Sequence, residues 1–232
     1  MPKKSIFLFA LVFFILTNPA FAQNTQELHI DSNISGTLRV GQEILYIVNP
    51  NENGILVVET SGNTDTYLEA FRIVQDSDIR YITKDDDSGE DFNASVSIVV
   101  KSGSSYLIKL RCYNSNISGE YNIFAYMEPM PVITALRPGQ AQNSSIASGE
   151  HYWYSVIAPK NGILTAETTG RTDTYLEAYD ENFDFLAEDD DSGKDLNAKI
   201  ELNVTEDKTY YFKLMGFNVN VHGPYRFSVN IK

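Results

Sequence analysis

The sequence contains itself twice. Asn53-Gly54-Ile55-Leu56 recurs as Asn161-Gly162-Ile163-Leu164, and Thr64-Asp65-Thr66-Tyr67-Leu68-Glu69-Ala70 recurs unchanged as Thr172 to Ala178, both 108 residues further on. Asp85-Asp86-Asp87-Ser88-Gly89 returns as Asp189 to Gly193 at an offset of 104, so the first copy holds four extra residues between Arg72 and Lys84. The later pairs keep the shorter offset: Asn93 with Asn197, Tyr106 with Tyr210, Gly119 with Gly223, Tyr121 with Tyr225. A repeat of roughly 100 residues has the size of a self-contained domain, whereas solenoid repeats run at about 20 to 50 residues. The chain therefore reads as two copies of one fold.

Each copy reads as all-β. In Ala198-Lys199-Ile200-Glu201-Leu202-Asn203-Val204 apolar and polar residues alternate strictly, as in Ala94, Val96, Ile98 and Val100 of the first copy, so one face packs and the other meets water. Tyr106, Ile108 and Leu110 match Tyr210, Phe212 and Leu214, and closing strands turn Tyr121, Ile123 and Ala125, then Tyr225, Phe227 and Val229, inward. The repeated tyrosines Tyr67 and Tyr175 are placed with this packed face. Turn signals at Pro50 to Gly54, Ser61-Gly62-Asn63, Lys101-Ser102-Gly103 and Asn116 to Gly119 separate the strands. Short strands at this spacing point to two tandem jelly-roll-like β-sandwiches.

The boundaries follow. Lys3 and Lys4, the apolar run Ile6 to Leu16 and Ala20-Phe21-Ala22 have the form of a cleaved export leader over 1–22, with an apolar stretch only about half the 20 residues a membrane span needs. The first sandwich is expected over 23–127, a proline-bearing linker over 128–132 around Pro129 and Pro131, and the second sandwich over 133–232. The destination read from this leader is the periplasm or the extracellular space. Two lysines and no acid leave with it, which takes the formal charge from −13 to −15. Such acidity disfavours nucleic acid and anionic lipid as partners.

The acidity is concentrated. In each copy oxygen-bearing side chains and a glycine occupy every second position, Asp85, Asp87, Gly89, Asp91, Asn93 and Asp189, Asp191, Gly193, Asp195, Asn197, with Asp86 and Asp190 between them and Asp65 and Asp173 ahead of neighbouring strands. Such donors suit calcium, which takes six to eight oxygens, although the glutamate of an EF-hand is replaced by Val96. The competing reading is a solvated turn in which Asp and Asn side chains bind their own backbone. Tyr113, Trp153, Tyr211 and Phe217 are the candidates for an exposed, ligand-binding aromatic surface.

The ordered set Asp173-Thr174-Tyr175-Leu176, a hairpin at Asp180-Glu181-Asn182, Leu186 to Gly193, Asn197, Thr209-Tyr210-Tyr211 and Gly223-Pro224-Tyr225 resembles the bacterial pre-peptidase C-terminal domain. The first copy resembles it through Asp65 to Leu68, Asp85 to Gly89, Asn93, Ser105-Tyr106 and Gly119-Glu120-Tyr121. The resemblance implies an exported β-sandwich accessory module of the kind appended to extracellular proteases, related in fold to the calcium-dependent collagen-binding modules of clostridial collagenases. The stretches corresponding to the calcium ligands of those modules, Gly41-Gln42-Glu43 and Gly149-Glu150-His151, are acid-poor, so that calcium site does not transfer residue by residue.

Catalysis finds little purchase. His29, His151 and His222 align with Arg137, Glu43 and Ser118 of the other copy, and Cys112 is the only cysteine. A nucleophile needs a base beside it, and a glycosidase needs two separated carboxyls rather than a contiguous triplet. The expectation is a non-catalytic protein that binds an extracellular polysaccharide or protein surface. The alternatives are an accessory subunit docking on a separately encoded exported enzyme and, weaker, a hydrolase using an acidic pair.

Overall fold

The computed structural model describes residues 25–74 and 78–232; the leader read at 1–22 lies outside the described residues. The chain divides into two compact units, with the boundary between Met130 and Pro131. All regular structure among the described residues is strand, and no helix there is long and apolar enough to cross a membrane.

The first unit contains β1 (Thr25–Glu27), β2 (Ser32–Leu38), β3 (Glu43–Val48), β4 (Gly54–Ser61), β5 (Thr66–Ile73), β6 (Ile79–Asp85), β7 (Ser95–Val100), β8 (Ser105–Cys112) and β9 (Gly119–Pro129). They form a sheet ordered β1-β3-β8-β5-β6 and a sheet ordered β2-β9-β4-β7. Apart from β1, which runs parallel to β3, this is the strand order of a jelly roll. The second unit repeats it. Its strands are β10 (Ile133–Leu136), β11 (Ala141–Ile146), β12 (His151–Ile157), β13 (Gly162–Gly170), β14 (Thr174–Tyr179), β15 (Phe185–Asp189), β16 (Lys199–Val204), β17 (Thr209–Gly216) and β18 (Gly223–Ile231). They order as β10-β12-β17-β14-β15 and β11-β18-β13-β16, with β10 parallel to β12.

Period-two patterning accounts for the cores. Val96, Ile98, Val100, Tyr106, Ile108, Leu110, Ile123 and Ala125 are buried in the first unit, and Ile200, Val204, Phe212, Leu214, Phe227 and Val229 in the second. The buried tyrosine and threonine hydroxyls find matched partners. Tyr46 and Tyr121 share a hydroxyl hydrogen bond of 2.6 Å, as do Tyr154 and Tyr225 at 2.5 Å. Thr60 and Thr66 hydroxyls accept from the Ala94 amide at 3.0 Å, and Thr168 and Thr174 receive that of Ala198 at 2.9 and 3.2 Å. Pairing in this way removes the cost of about 1–3 kcal/mol that each buried unsatisfied group would carry.

Two expectations are corrected. Tyr67 and Tyr175 are half-buried on outer faces, because the inward positions of β5 and β14 fall on Thr66, Leu68, Ala70 and on Thr174, Leu176, Ala178. The proposed linker also loses Glu128 and Pro129 to β9, where Gly54 of β4 pairs with Pro129. The partner strand β2 ends its pairing at Ala125, so beyond that point β9 is an edge on one side and a proline without an amide hydrogen is tolerated. Cys112, at the end of β8, is a free thiol only 4% exposed.

Candidate functional site

In both units the Asp-rich segment carries the chain from one sheet to the other, from β6 to β7 and from β15 to β16. Its first carboxylate organises it. Asp85 accepts from the Ser88 amide (2.9 Å), the Ser88 hydroxyl (2.6 Å) and the Ser95 amide (2.8 Å), and Asp189 accepts from the amides of Ser192 (3.1 Å) and Lys199 (2.7 Å). The glycine that follows is dictated by contact: the Gly89 amide donates to Asn93 O at 2.8 Å, and a Cβ on Gly89 would lie 2.5 Å from that oxygen. The Asn93 side-chain amide donates to Gly62 O (3.0 Å) and Glu90 O (2.8 Å), and that of Asn197 to Gly170 O (3.2 Å) and Lys194 O (2.7 Å). The Oδ1 atoms of Asn93 and Asn197 are buried without a hydrogen-bond partner. Asp91 and Asp195 adopt left-handed backbone, at φ 58° and 61°, a conformation that aspartate tolerates better than most residues.

The side chains of Asp85 and Asn93, and of Asp189 and Asn197, are thus occupied in shaping the loop, whereas Asp91 and Asp195 shape it through their backbone alone. The carboxylates of Asp65, Asp86, Asp87 and Asp91, and of Asp173, Asp190, Asp191 and Asp195, are the ones left to act on something else. Partial burial, then the charges of Asp87 and Asp86, push the Asp65 carboxyl above its ordinary value; burial, then Asp190 and Asp191, do the same to Asp173. Among the described residues no three His, Cys, Asp or Glu side chains are already gathered into a metal-binding cluster.

The exposed aromatics are tied to Asp65 and Asp173 through the backbone. The Tyr113 amide donates to Asp65 O at 3.0 Å and the Phe217 amide to Asp173 O at 3.2 Å, and both rings are about half exposed, at 53% and 52%. Tyr113 lies 6.5 Å from the Tyr67 ring, which the Arg111 guanidinium covers at 3.8 Å. Phe92 and Leu196, one residue before each loop asparagine, are exposed as well, and their carbonyls accept from the Thr66 and Thr174 amides. Sequence reasoning passed over this apolar pair. The signal was available: large side chains at equivalent positions of both copies, inside otherwise polar loops.

Trp153 and Tyr211 do not join this end. Trp153 is only 4% exposed on the outer face of β12, roofed by Tyr179 at 5.5 Å and by Phe183 at 6.2 Å. Alternation along β12 correctly turns it outward, but the turn between β14 and β15 folds back over it. Phe183, at φ 62°, stacks on half-buried Tyr211 at 4.2 Å, and the Asp180 carboxylate holds that turn by accepting from the amides of Asn182 and Asp184. The reading of Trp153 as an exposed aromatic is therefore corrected: with Tyr211 it belongs to a satellite cluster under a loop.

Neither a protein-family model nor a curated protein matches the chain. Among solved structures, the pre-peptidase C-terminal domain of a collagenase from Bacillus anthracis is 12% identical over 44% of this chain and 100% of its own length, with a TM-score of 0.38. A Yersinia pseudotuberculosis-derived mitogen is 20% identical over 42% of this chain and 85% of its own, at 0.33. A periplasmic inhibitor of g-type lysozyme from Aeromonas hydrophila is 9% identical over 45% and 98%, at 0.35. Scores of this size carry no argument about what the present chain binds.

Proposed function

We propose that this chain is an exported, non-catalytic binding protein of two pre-peptidase C-terminal-like modules, which meets a protein or polymer surface outside the cell through the equivalent loop ends of its two sandwiches. One observation carries the reading: each end exposes large apolar side chains, Phe92 and Tyr113 in one module and Leu196 and Phe217 in the other, beside carboxylates that have no role in the loop's own geometry. Solvent-exposed apolar side chains cost nothing to replace with polar ones, so their duplication at matched positions favours contact with a partner. Two such ends on one chain also allow avidity on a repetitive target. Arrays of matrix proteins and glycans, probed with wild type and with Tyr113→Ala/Phe217→Ala, test it. A hit that the double variant loses supports the reading, and the absence of any hit overturns it.

A second reading concerns calcium. The carboxyls of Asp65 and Asp173 are raised first by partial burial and then by the neighbouring carboxylates, and a cation would relieve that second contribution. The residues that would hold it are Asp65, Asp86 and Asp87, and Asp173, Asp190 and Asp191, drawn closer than they now stand. Ligand linkage makes this measurable: saturating calcium must raise Tm over a chelator control, and Asp87→Ala/Asp191→Ala must abolish the increment. An unchanged Tm removes calcium from the proposal and leaves the binding surface intact.

A further inference from the structure

The outer face of the sheet β2-β9-β4-β7 in the first module carries a surface unlike anything at the loop ends. Along β9 the inward residues Tyr121, Ile123 and Ala125 alternate with an outward row of Glu120, Asn122, Phe124 and Tyr126. Alternate residues of a strand are spaced at about 6.8 Å, so this row spans about 20 Å. At one end Phe124 and Tyr126 stack, with ring centroids 5.5 Å apart and planes inclined by 28°, and Phe124 is 37% exposed. Tyr126 is fixed from the next strand, where its hydroxyl donates to Glu59 at 2.8 Å. At the other end the row enters a groove of about 770 Å³ lined by Ser35, Thr37, Asn63, Ser118, Glu120 and Asn122. The Ser35 hydroxyl donates to the Asn122 side-chain oxygen at 2.6 Å, which orients the amide.

The charge pattern restricts what this surface can take. None of the four strands contains a lysine, arginine or histidine, while Glu59, Glu120 and Glu128 lie on them. Anionic ligands meet only repulsion there. Hydroxyl, amide and carboxylate groups beside stacked aromatic rings complement a ligand with many hydroxyl donors and acceptors and apolar C–H faces. The second module lacks the device. Ser228 and Asn230 stand where Phe124 and Tyr126 stand in the first, and Arg226 and Arg171 replace Asn122 and Asn63.

We infer that this face of the first module is a binding site for a neutral polysaccharide chain, with Phe124 and Tyr126 stacking against sugar rings and Asn122, Glu120, Asn63 and Ser35 engaging hydroxyls in the groove. The groove reaches Asn63 and Thr64 beside Asp65, whereas Phe124 and Tyr126 stand further along β9, so variants of this pair separate the two proposals.

Native affinity electrophoresis of the full chain recovered after export tests it, with xyloglucan, galactomannan, mixed-linkage β-glucan or, as the anionic control, polygalacturonate in the gel. Retardation by at least one neutral polysaccharide and none by polygalacturonate is expected. Phe124→Ala/Tyr126→Ala should weaken the apparent Kd at least about tenfold, Asn122→Ala should weaken it less, and Ser228→Ala/Asn230→Ala, at the equivalent positions of the second module, should leave it unchanged. Phe124→Trp, which keeps a ring, should retain binding and so separate loss of stacking from loss of folding. No retardation by any of the three neutral polymers, equal retardation by polygalacturonate, or a double alanine variant that migrates as wild type would overturn the inference.

Discussion

The two modules agree on the inside and part company on the outside. Tyr46 with Tyr121 and Tyr154 with Tyr225, Thr60 with Thr66 and Thr168 with Thr174, and Asp85 and Asp189 at the heads of their loops make the same bonds at the same positions. On the outer faces Leu45 corresponds to Trp153 and Leu107 to Tyr211, and the Phe124–Tyr126 pair corresponds to Ser228 and Asn230. A buried hydroxyl must keep its partner, and that requirement ties the interior positions to one another. An outward position on a strand carries no such obligation once the inner face is packed, so surface chemistry is free to differ between copies.

The largest test of this comparison concerns independence. Ile108 and Phe212 occupy the same core position and are fully buried. Ile108→Ala and Phe212→Ala should each cost about 3–4 kcal/mol. Calorimetry should show two transitions, one lowered by each variant; a shift of both by either substitution would show that the modules unfold as one.

Next comes the loop. Asp85→Ala removes a charged acceptor from two backbone amides and should cost the first module about 2 kcal/mol, and Asp189→Ala should cost the second a similar amount. Urea midpoints of the paired variants check the symmetry, and a neutral result at either position would break it.

A smaller effect should be asymmetric. A Cβ on Gly36 would lie 2.6 Å from the Tyr121 hydroxyl, whereas the equivalent Ser144 already carries a Cβ and hydrogen-bonds Tyr225. Gly36→Ala should therefore destabilise by about 1–2 kcal/mol through overpacking, and Ser144→Ala by about 0.5–1 kcal/mol through one lost hydrogen bond. Equal losses in denaturant titrations would contradict the difference in packing.

The smallest expected effect is a pH dependence. A carboxyl raised on folding contributes stability that is complete below its unfolded value, about 3.9, and is lost as pH rises through the raised folded value. Asp65→Asn and Asp173→Asn should remove that loss, raising Tm at pH 7 by about 2 °C and flattening the Tm profile above about pH 4. A profile that keeps its slope in the double variant would show that burial and neighbouring charge do not raise these two carboxyls in the folded state.

Much of this architecture could be read before any coordinates. The repeat offsets and the period-two runs around Ile98, Ile108 and Ile123 identify two copies of one sandwich and most of the core, because inner-face burial is written directly in alternation. The parity of β5 was harder to assign. Thr66 and Ala70 are small and Tyr67 is large, so side-chain size favoured the wrong face. The fate of Trp153 was not legible either, because a turn 30 residues away supplies its roof. At the site, the Asp-rich loops stood out by composition. Their division into shaping and free carboxylates depends on which backbone amides come within reach of Asp85, and a linear pattern does not contain that information. The row of Phe124 and Tyr126 could have been found by asking which outward residues differ between the copies.

The first module owns the single thiol of the chain, Cys112, and the second owns its single indole, Trp153; each is only 4% exposed. Each module thus carries a natural reporter that its twin lacks. Thiol-reactive chromogens will count openings of the first sandwich, and quenching of tryptophan emission will count those of the second, on one unmodified chain in one cuvette. Breathing motions of two near-copies, which overlap in most ensemble measurements, can then be followed separately without a label or an engineered residue.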